Sequence, residues 1–261
     1  MKQALLAAGL MFGFAGGLAH AQSSDAWTYL VESVFEGRNM EPGAGVIALE
    51  APYRAEDAAI VPMTIRSELP ENSDLRIEKI TLTIDSNPSP VAAEFTFGDA
   101  GTVHAIETRL RVDAYTTVHV VAEASDGKLY MAEAFVKASG GCSSPGLKQT
   151  VADIGEMRFR RFETDPATEV SEAQIMIRHP NNSGLQRDPL LNYYIPAFFV
   201  QDLALSIGDK LLFRMEGGIS ISENPTFRVS YTAEDGPVTV EAIDTKGNTY
   251  EGAWPAGGDA S

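Results

Sequence analysis

Ile77-Glu78-Lys79-Ile80-Thr81-Leu82-Thr83-Ile84 and, further on, Val118-His119-Val120-Val121-Ala122-Glu123 decide how this chain is to be read. Apolar and polar residues nearly alternate in both, and β-branched side chains dominate. A segment with that period has one face for a core and one for water, which describes a strand and not a helix. Outward from these two, short runs rich in Val, Ile, Thr and aromatics recur at 58–65, 77–85, 92–97, 104–112, 115–124 and 129–139. They resume at 157–162, 169–177, 193–201, 206–214, 227–232, 238–244 and 249–254. Turn residues fall between them, at Asp126-Gly127, Gly208-Asp209, Asp235-Gly236 and Lys246-Gly247-Asn248. The spacing predicts an all-β protein built as two immunoglobulin-like antiparallel β-sandwiches. A single short helix is expected before them over 27–35, where apolar residues stand at helical spacing until Gly37 and Pro42 intervene.

The first residues read Met1-Lys2, then an uncharged stretch of small and apolar residues from Ala4 to Leu18, then Ala19-His20-Ala21 ahead of a polar turn. A short positive head, an apolar run and an Ala-x-Ala site make residues 1–21 an expected secretory signal peptide, too short to anchor in a bilayer. In a bacterium the mature chain would then work in the periplasm. Its composition fits a soluble, acidic globular protein: 44% hydrophobic residues supply a core, and the net charge is −16. That charge repels phosphate backbones and anionic lipid surfaces, so neither nucleic acid nor membrane is an expected partner. A single cysteine among 261 residues excludes an internal disulfide and a multi-thiolate metal site. No P-loop, Gly-x-Ser-x-Gly elbow, His-Glu-x-x-His or haem-attachment motif is present, and no metal or cofactor is expected.

Between the two strand-rich halves lies Ser139-Gly140-Gly141-Cys142-Ser143-Ser144-Pro145-Gly146, the one stretch of small residues long enough to be a linker. The expected division is therefore a signal peptide over 1–21, one sandwich over 22–139, an arm and linker over 140–148, and a second sandwich over 149–261. The aromatic run 193–199 suggests that the sandwiches pack face to face. Cys142 lies in the linker among residues that offer it no apolar partner, so it is expected to be exposed and mobile, with Lys137 and Lys148 as weakly activating charges. Such a thiol would be free, capped by a small adduct, or joined to a second chain in a cysteine-linked dimer. Of the histidines, His104 and His119 stand in strand patterns where a satisfied sheet histidine is the usual case. His179 precedes Pro180 and the polar turn Asn181-Asn182-Ser183-Gly184, a place for a bracing residue.

A thiol beside Gly-Gly at the end of one sandwich and ahead of another resembles the SoxY–SoxZ sulfur-compound carrier family. Ala55-Glu56-Asp57-Ala58-Ala59-Ile60-Val61-Pro62-Met63 is similar to a SoxY run, and His179-Pro180-Asn181-Asn182-Ser183-Gly184-Leu185-Gln186-Arg187-Asp188 to a SoxZ run. Ile195-Pro196 with Phe198-Phe199-Val200, and Ile221-Ser222-Glu223-Asn224-Pro225, resemble later SoxZ segments. The single-chain arrangement resembles the SoxYZ-like carriers associated with quinoprotein dehydrogenases. The resemblance implies a periplasmic carrier without turnover of its own. It would hold a substrate, thiosulfate-derived in the sulfur-oxidising relatives, covalently on Cys142 and present it to separate redox enzymes. Gly140, Gly141, Ser143 and Ser144 would be the hinge of the arm, with His179 in support. Two departures stand out: the family's arm ends freely, whereas Cys142 is followed by Ser-Ser-Pro and a whole second half, and Asn181 and Asn182 replace Met and Glu. A non-covalent accessory module for a periplasmic quinoprotein dehydrogenase is the second reading, and an enzyme acting alone at Cys142 the third.

Overall fold

The short helix forms where Trp27, Leu30 and Phe35 can share one face: α1 (Asp25–Val34) buries Trp27 and Leu30, with Phe35 just beyond it, against Val121 and Leu129. Everything else regular in the computed structural model is strand, apart from one 3-10 turn at Val151–Asp153; it describes residues 25–145, 151–162 and 169–257. The expected signal peptide and residues 146–148 of the expected linker lie outside the described residues.

The first half supplies β1 (Met40–Pro42), β2 (Ile47–Glu50), β3 (Val61–Ser67), β4 (Ile77–Ile84), β5 (Val91–Phe97), β6 (Gly101–Leu110), β7 (Thr116–Ala124) and β8 (Leu129–Val136). The second supplies β9 (Met157–Phe162), β10 (Ser171–Ile177), β11 (Val200–Ile207), β12 (Lys210–Gly217), β13 (Thr226–Ala233), β14 (Val238–Asp244) and β15 (Thr249–Trp254). Burial alternates along β3, β10, β13 and β14 as a two-layer sandwich requires.

Two sheets run through both halves. One has nine strands in the order β1-β8-β7-β4-β5-β12-β11-β14-β15, the other six in the order β2-β3-β6-β13-β10-β9. The halves join where β5 pairs with β12 and β6 with β13, both antiparallel. The expected face-to-face packing is therefore replaced by edge-to-edge continuation. The physical reason is that an unpaired edge leaves a row of backbone donors and acceptors to satisfy, and each half covers the other's two edges. The core continues across the join: Phe95 meets Phe213 and Phe227 with ring centroids 6.0 and 6.3 Å apart. A shared core and two shared sheets predict one cooperative thermal transition for the whole chain. Calorimetry checks this, and two well-separated transitions would show that the halves stand alone.

Two expected strands are corrected. Residues 193–199 are loop, and β11 starts only at Val200, because Pro196 and the backbone bonds Ile195 N–H to Gln186 O and Asp188 N–H to Tyr193 O fold this stretch on its neighbour. The run 206–214 straddles the β11–β12 hairpin, whose turn takes Gly208 at φ +58°. β1 and β2 were not legible in the passage before residue 58, where Gly43, Gly45 and Pro52 give the sequence an irregular look.

Candidate functional site: the seat of Cys142

The stretches that resemble the carrier family converge at one end of the sandwiches. Ala58 O accepts the Val112 amide at 2.8 Å, and the Ser222 hydroxyl reaches Ala59 O at 2.7 Å across the join between halves. The His179 amide donates to Asn224 Oδ1 at 3.2 Å, and the Val200 amide to Asn181 Oδ1 at 3.1 Å. Between these walls lies the turn that carries the cysteine.

Cys142 is fully buried, at 0% exposure, which corrects the expectation of an exposed thiol. Its own neighbours in sequence could not hide it, but remote segments do. The Gly140 amide donates to Asp113 O at 2.8 Å, the Gly141 amide to Val112 O at 3.1 Å, and the Cys142 amide to Asp113 Oδ1 at 3.1 Å. From the second half, the Ser183 hydroxyl donates to the Cys142 carbonyl and Gln186 Nε2 to Ser144 O at 3.1 Å. The two glycines have conformational reasons to be there. Gly140 adopts φ +78°, and at Gly141 a Cβ would overlap the carbonyl oxygens of Ala58 and Val112. Ser143 is exposed and Ser144 half-buried, and both hydroxyls donate to Gly140 O. The hinge set thus forms a closed turn docked on both halves.

Burial pushes the thiol up to about 12; the Asp113 carboxylate adds to the rise, and Arg111 opposes it. These two charges replace the lysines expected to activate the thiol; of those, Lys148 lies outside the described residues. At pH 7 only about one docked thiol in 10⁵ is ionised. A buried, protonated sulfur gives no support to a cysteine-linked dimer in this conformation.

Arg111 was not singled out in the sequence. It is fully buried, and its guanidinium donates to Gly141 O at 3.2 Å and to Asn181 O at 3.4 Å. Its backbone is pinned as well, with N–H to Ser220 O at 2.7 Å and C=O accepting from Asn87 Nδ2 at 2.7 Å. The signal was a charged residue between Leu110 and Val112, where the strand pattern asks for core.

His179 is also at 0% exposure. Its Nδ1 lies 2.7 Å from Asn181 Oδ1, its ring meets Phe198 edge-on at 4.4 Å, and Nε2 is 3.7 Å from Asp244 Oδ2. Burial lowers its affinity for a proton, only partly offset by Asn181 and Asp244. It stands behind Asn181, in the wall of the seat. His119 bridges Asp85 at 2.9 Å and Glu133 at 3.1 Å while stacking on Trp27, and His104 meets Thr232 Oγ1 at 2.8 Å. Among the described residues no group of three His, Cys, Asp or Glu is placed to hold a metal ion. No described helix is long and apolar enough to cross a membrane.

Beside the seat, the loop that follows Gln186 presents Leu190 at 85% exposure, with Leu191, Tyr193 and Tyr194 each more than half exposed. The aromatic run expected to pack between halves is instead split, Phe198 inward and the tyrosines outward.

Two sequence-family models match the chain, one described as sulfur oxidation protein SoxY over residues 31–142 and one as sulphur oxidation protein SoxZ over residues 159–255. No curated protein matches it. Among solved structures, a superoxide reductase (neelaredoxin) from Ignicoccus hospitalis aligns with 14% identity and a TM-score of 0.32, covering 36% of this chain and 82% of that one.

Proposed function

The chain belongs to the fused SoxYZ-like family of sulfur-oxidation proteins, and we propose that it is a covalent carrier whose attachment point is Cys142 on an arm over residues 140–148. The observation that carries this is the position of the lone cysteine. It ends the SoxY match, and its turn is clasped by side chains of the SoxZ half. A carrier between encounters needs its thiol kept from oxidation, and a docked, protonated sulfur is kept so. Loading then requires the turn to leave its seat. That means breaking the bonds that Asp113, Val112, Ser183, Gln186 and Arg111 make to residues 140–144, with Gly140 and Gly141 supplying the backbone freedom for the opening. The apolar loop at Leu190, Leu191, Tyr193 and Tyr194 offers a nearby surface for a transient partner. The expected signal peptide supports the periplasm as the compartment. The single-chain form supports a redox enzyme as partner, of the sulfur-oxidation type or a quinoprotein dehydrogenase.

Full burial of Cys142 favours a second reading, a non-covalent accessory module for such an enzyme in which the thiol is a packing residue. The intact mass of the protein taken from its native compartment separates the two. The carrier is expected to show added mass at Cys142 that reductant removes, and Cys142→Ser to abolish it while partner binding survives. Uniformly unmodified protein, with partners and candidate substrates present, would leave the accessory role.

A further inference from the structure

The sandwiches have a second end, remote from Cys142. β6 runs from Gly101 at that end to Leu110 beside the seat, roughly 30 Å of extended strand. There a cleft of about 1230 Å³ opens between the sheets, with buried Ile65, Ile80 and Ile106 as its floor and half-buried Leu69, Leu75 and Phe97 in its walls. A volume of about 300–1,000 Å³ is usual for a small-molecule site. One wall is fixed by the join between halves: the Gly98 amide donates to Leu212 O at 3.1 Å, and a Cβ at Gly98 or Gly101 would overlap the carbonyl oxygen of Leu211 or Thr232. The opposite wall is the connection from β3 to β4, tied by the Leu69 amide on Ser67 Oγ at 3.3 Å and the Ser125 amide on Arg76 O at 2.8 Å. A surface connection ordinarily turns polar residues outward, yet Leu69 and Leu75 line the cleft and join neither core cluster. A bulge in β6 leaves His104 without a partner on β13 and sets its ring in the lining, 2.8 Å from Thr232 Oγ1.

The apolar floor makes the site, and the rim sets the charge of what fits it. Glu71, Glu78, Asp99 and Glu169 are exposed around the cleft, against one guanidinium, that of Arg76. None of the four carboxylates is in an ion pair among the described residues. Burial lowers the proton affinity of His104, with Glu71 opposing, so the ring adds no balancing charge at neutral pH. An anion would meet this rim at a cost, and a wholly apolar molecule would leave it unused. We propose that the cleft is a binding site for an amphipathic organic cation, a molecule whose apolar body lies on Ile65, Ile80 and Ile106 while its ammonium group stays among the rim carboxylates. The site is independent of the carrier reading, because it shares no residue with the seat of Cys142.

The test uses three compounds with one apolar body and three charges: (1-naphthylmethyl)trimethylammonium, 1-naphthylmethanol and 1-naphthylmethanesulfonate. Each is titrated into the full chain by calorimetry at about 0.15 M salt, where the field of distant charges is screened over about 8 Å and the rim remains within reach. The cation is expected to bind about ten-fold more tightly than the alcohol, and the sulfonate more weakly than either. Methyl resonances of Ile65, Ile80 and Ile106 should shift on saturation, and those of Val112 and Ile221, at the other end, should not. The four exposed carboxylates are then neutralised together, as Glu71→Gln, Glu78→Gln, Asp99→Asn and Glu169→Gln. This should bring the three affinities within about two-fold while that of the alcohol stays as it was. Thr102→Trp, which fills the cleft from its exposed rim, should weaken all three at least about ten-fold. Absence of saturable binding, or shifts that avoid the three isoleucines, overturns the site in the unaltered protein. A sulfonate bound as tightly as the cation, or a charge order that survives the four neutral substitutions, overturns the class of ligand.

Discussion

A small alkylating reagent at pH 8 is expected to label Cys142 in the folded protein about a thousand-fold more slowly than in the unfolded chain, and still to label it completely. At that pH about a quarter of an ordinary unfolded thiol is ionised, against about one in 10⁴ of a thiol pushed up to about 12. That ratio, about 2,500, corresponds to about 5 kcal/mol, at the lower end of what global unfolding costs. Two comparisons decide what the rate means. If the docked thiol reacts in place, the rate should climb about ten-fold per pH unit well beyond pH 9. If the turn must first leave its seat, the profile should follow a free thiol and level off above about pH 8.5. The carrier reading requires the second. Gly141→Ala sharpens the test, since its Cβ would overlap the Ala58 and Val112 carbonyls and expel the turn, raising the rate at least about ten-fold. Labelling no faster than global unfolding would make Cys142 a core residue and sink the arm. Labelling as fast as the unfolded chain would show that the seat is empty in solution.

The same shift gives the seat a pH dependence of definite sign. A thiol whose folded value is raised stabilises the closed form fully below its unfolded value of about 8.5, and that stability drains as pH rises towards 12. Deprotonation thus favours the open arm. A partner that drew the thiolate out would be working with this gradient.

How much of this was legible in the sequence depended on the distance over which each feature is decided. Strand alternation is local, so β4, β7, β10 and β14 could be read from their own residues, as could α1 from the spacing of Trp27 and Leu30. The run 193–199 misled because its aromatics have high β propensity, while the carbonyl and amide of Gln186 and Asp188 claim its backbone for a loop. The continuation of β5 into β12 and β6 into β13 is a property of two remote edges, and no local pattern encodes it. The burial of Cys142 is of the same kind. Gly140, Gly141, Ser143 and Ser144 suggest exposure on their own, and only Ala58, Val112, Ser183 and Gln186, brought from three remote segments, reverse it. The Gly-Gly pair was singled out as a hinge, and the structure adds a packing reason that the sequence did not carry: a Cβ at Gly141 would overlap the Ala58 and Val112 carbonyls. Arg111 did leave a trace, as a charge inside a core pattern.

His179→Ala is expected to lower the stability of the protein by about 2–4 kcal/mol, which places the residue in the wall of the seat and not in the chemistry of loading. The ring is fully buried, so its removal leaves a cavity against Phe198 and strands the Asn181 side chain that also accepts the Val200 amide. Asn181 in turn offers its carbonyl to Arg111, so the loosening should reach the seat and speed Cys142 labelling several-fold without abolishing it. A pH signature accompanies the loss. Because burial depresses the folded value of His179, its neutral form stabilises the fold above about pH 6.5, and that stability falls away as pH drops below it. The alanine variant should lose that part of the acid slope. Asp244 contributes a separate part at lower pH: burial alone would raise its carboxyl, but bonds from Tyr250, Asn248 and the Lys246 amide outweigh it and hold the group low. Chemical denaturation across pH 5–8 for both proteins, beside the labelling rate, separates the roles. Unchanged stability together with lost loading would instead assign His179 to the transfer step.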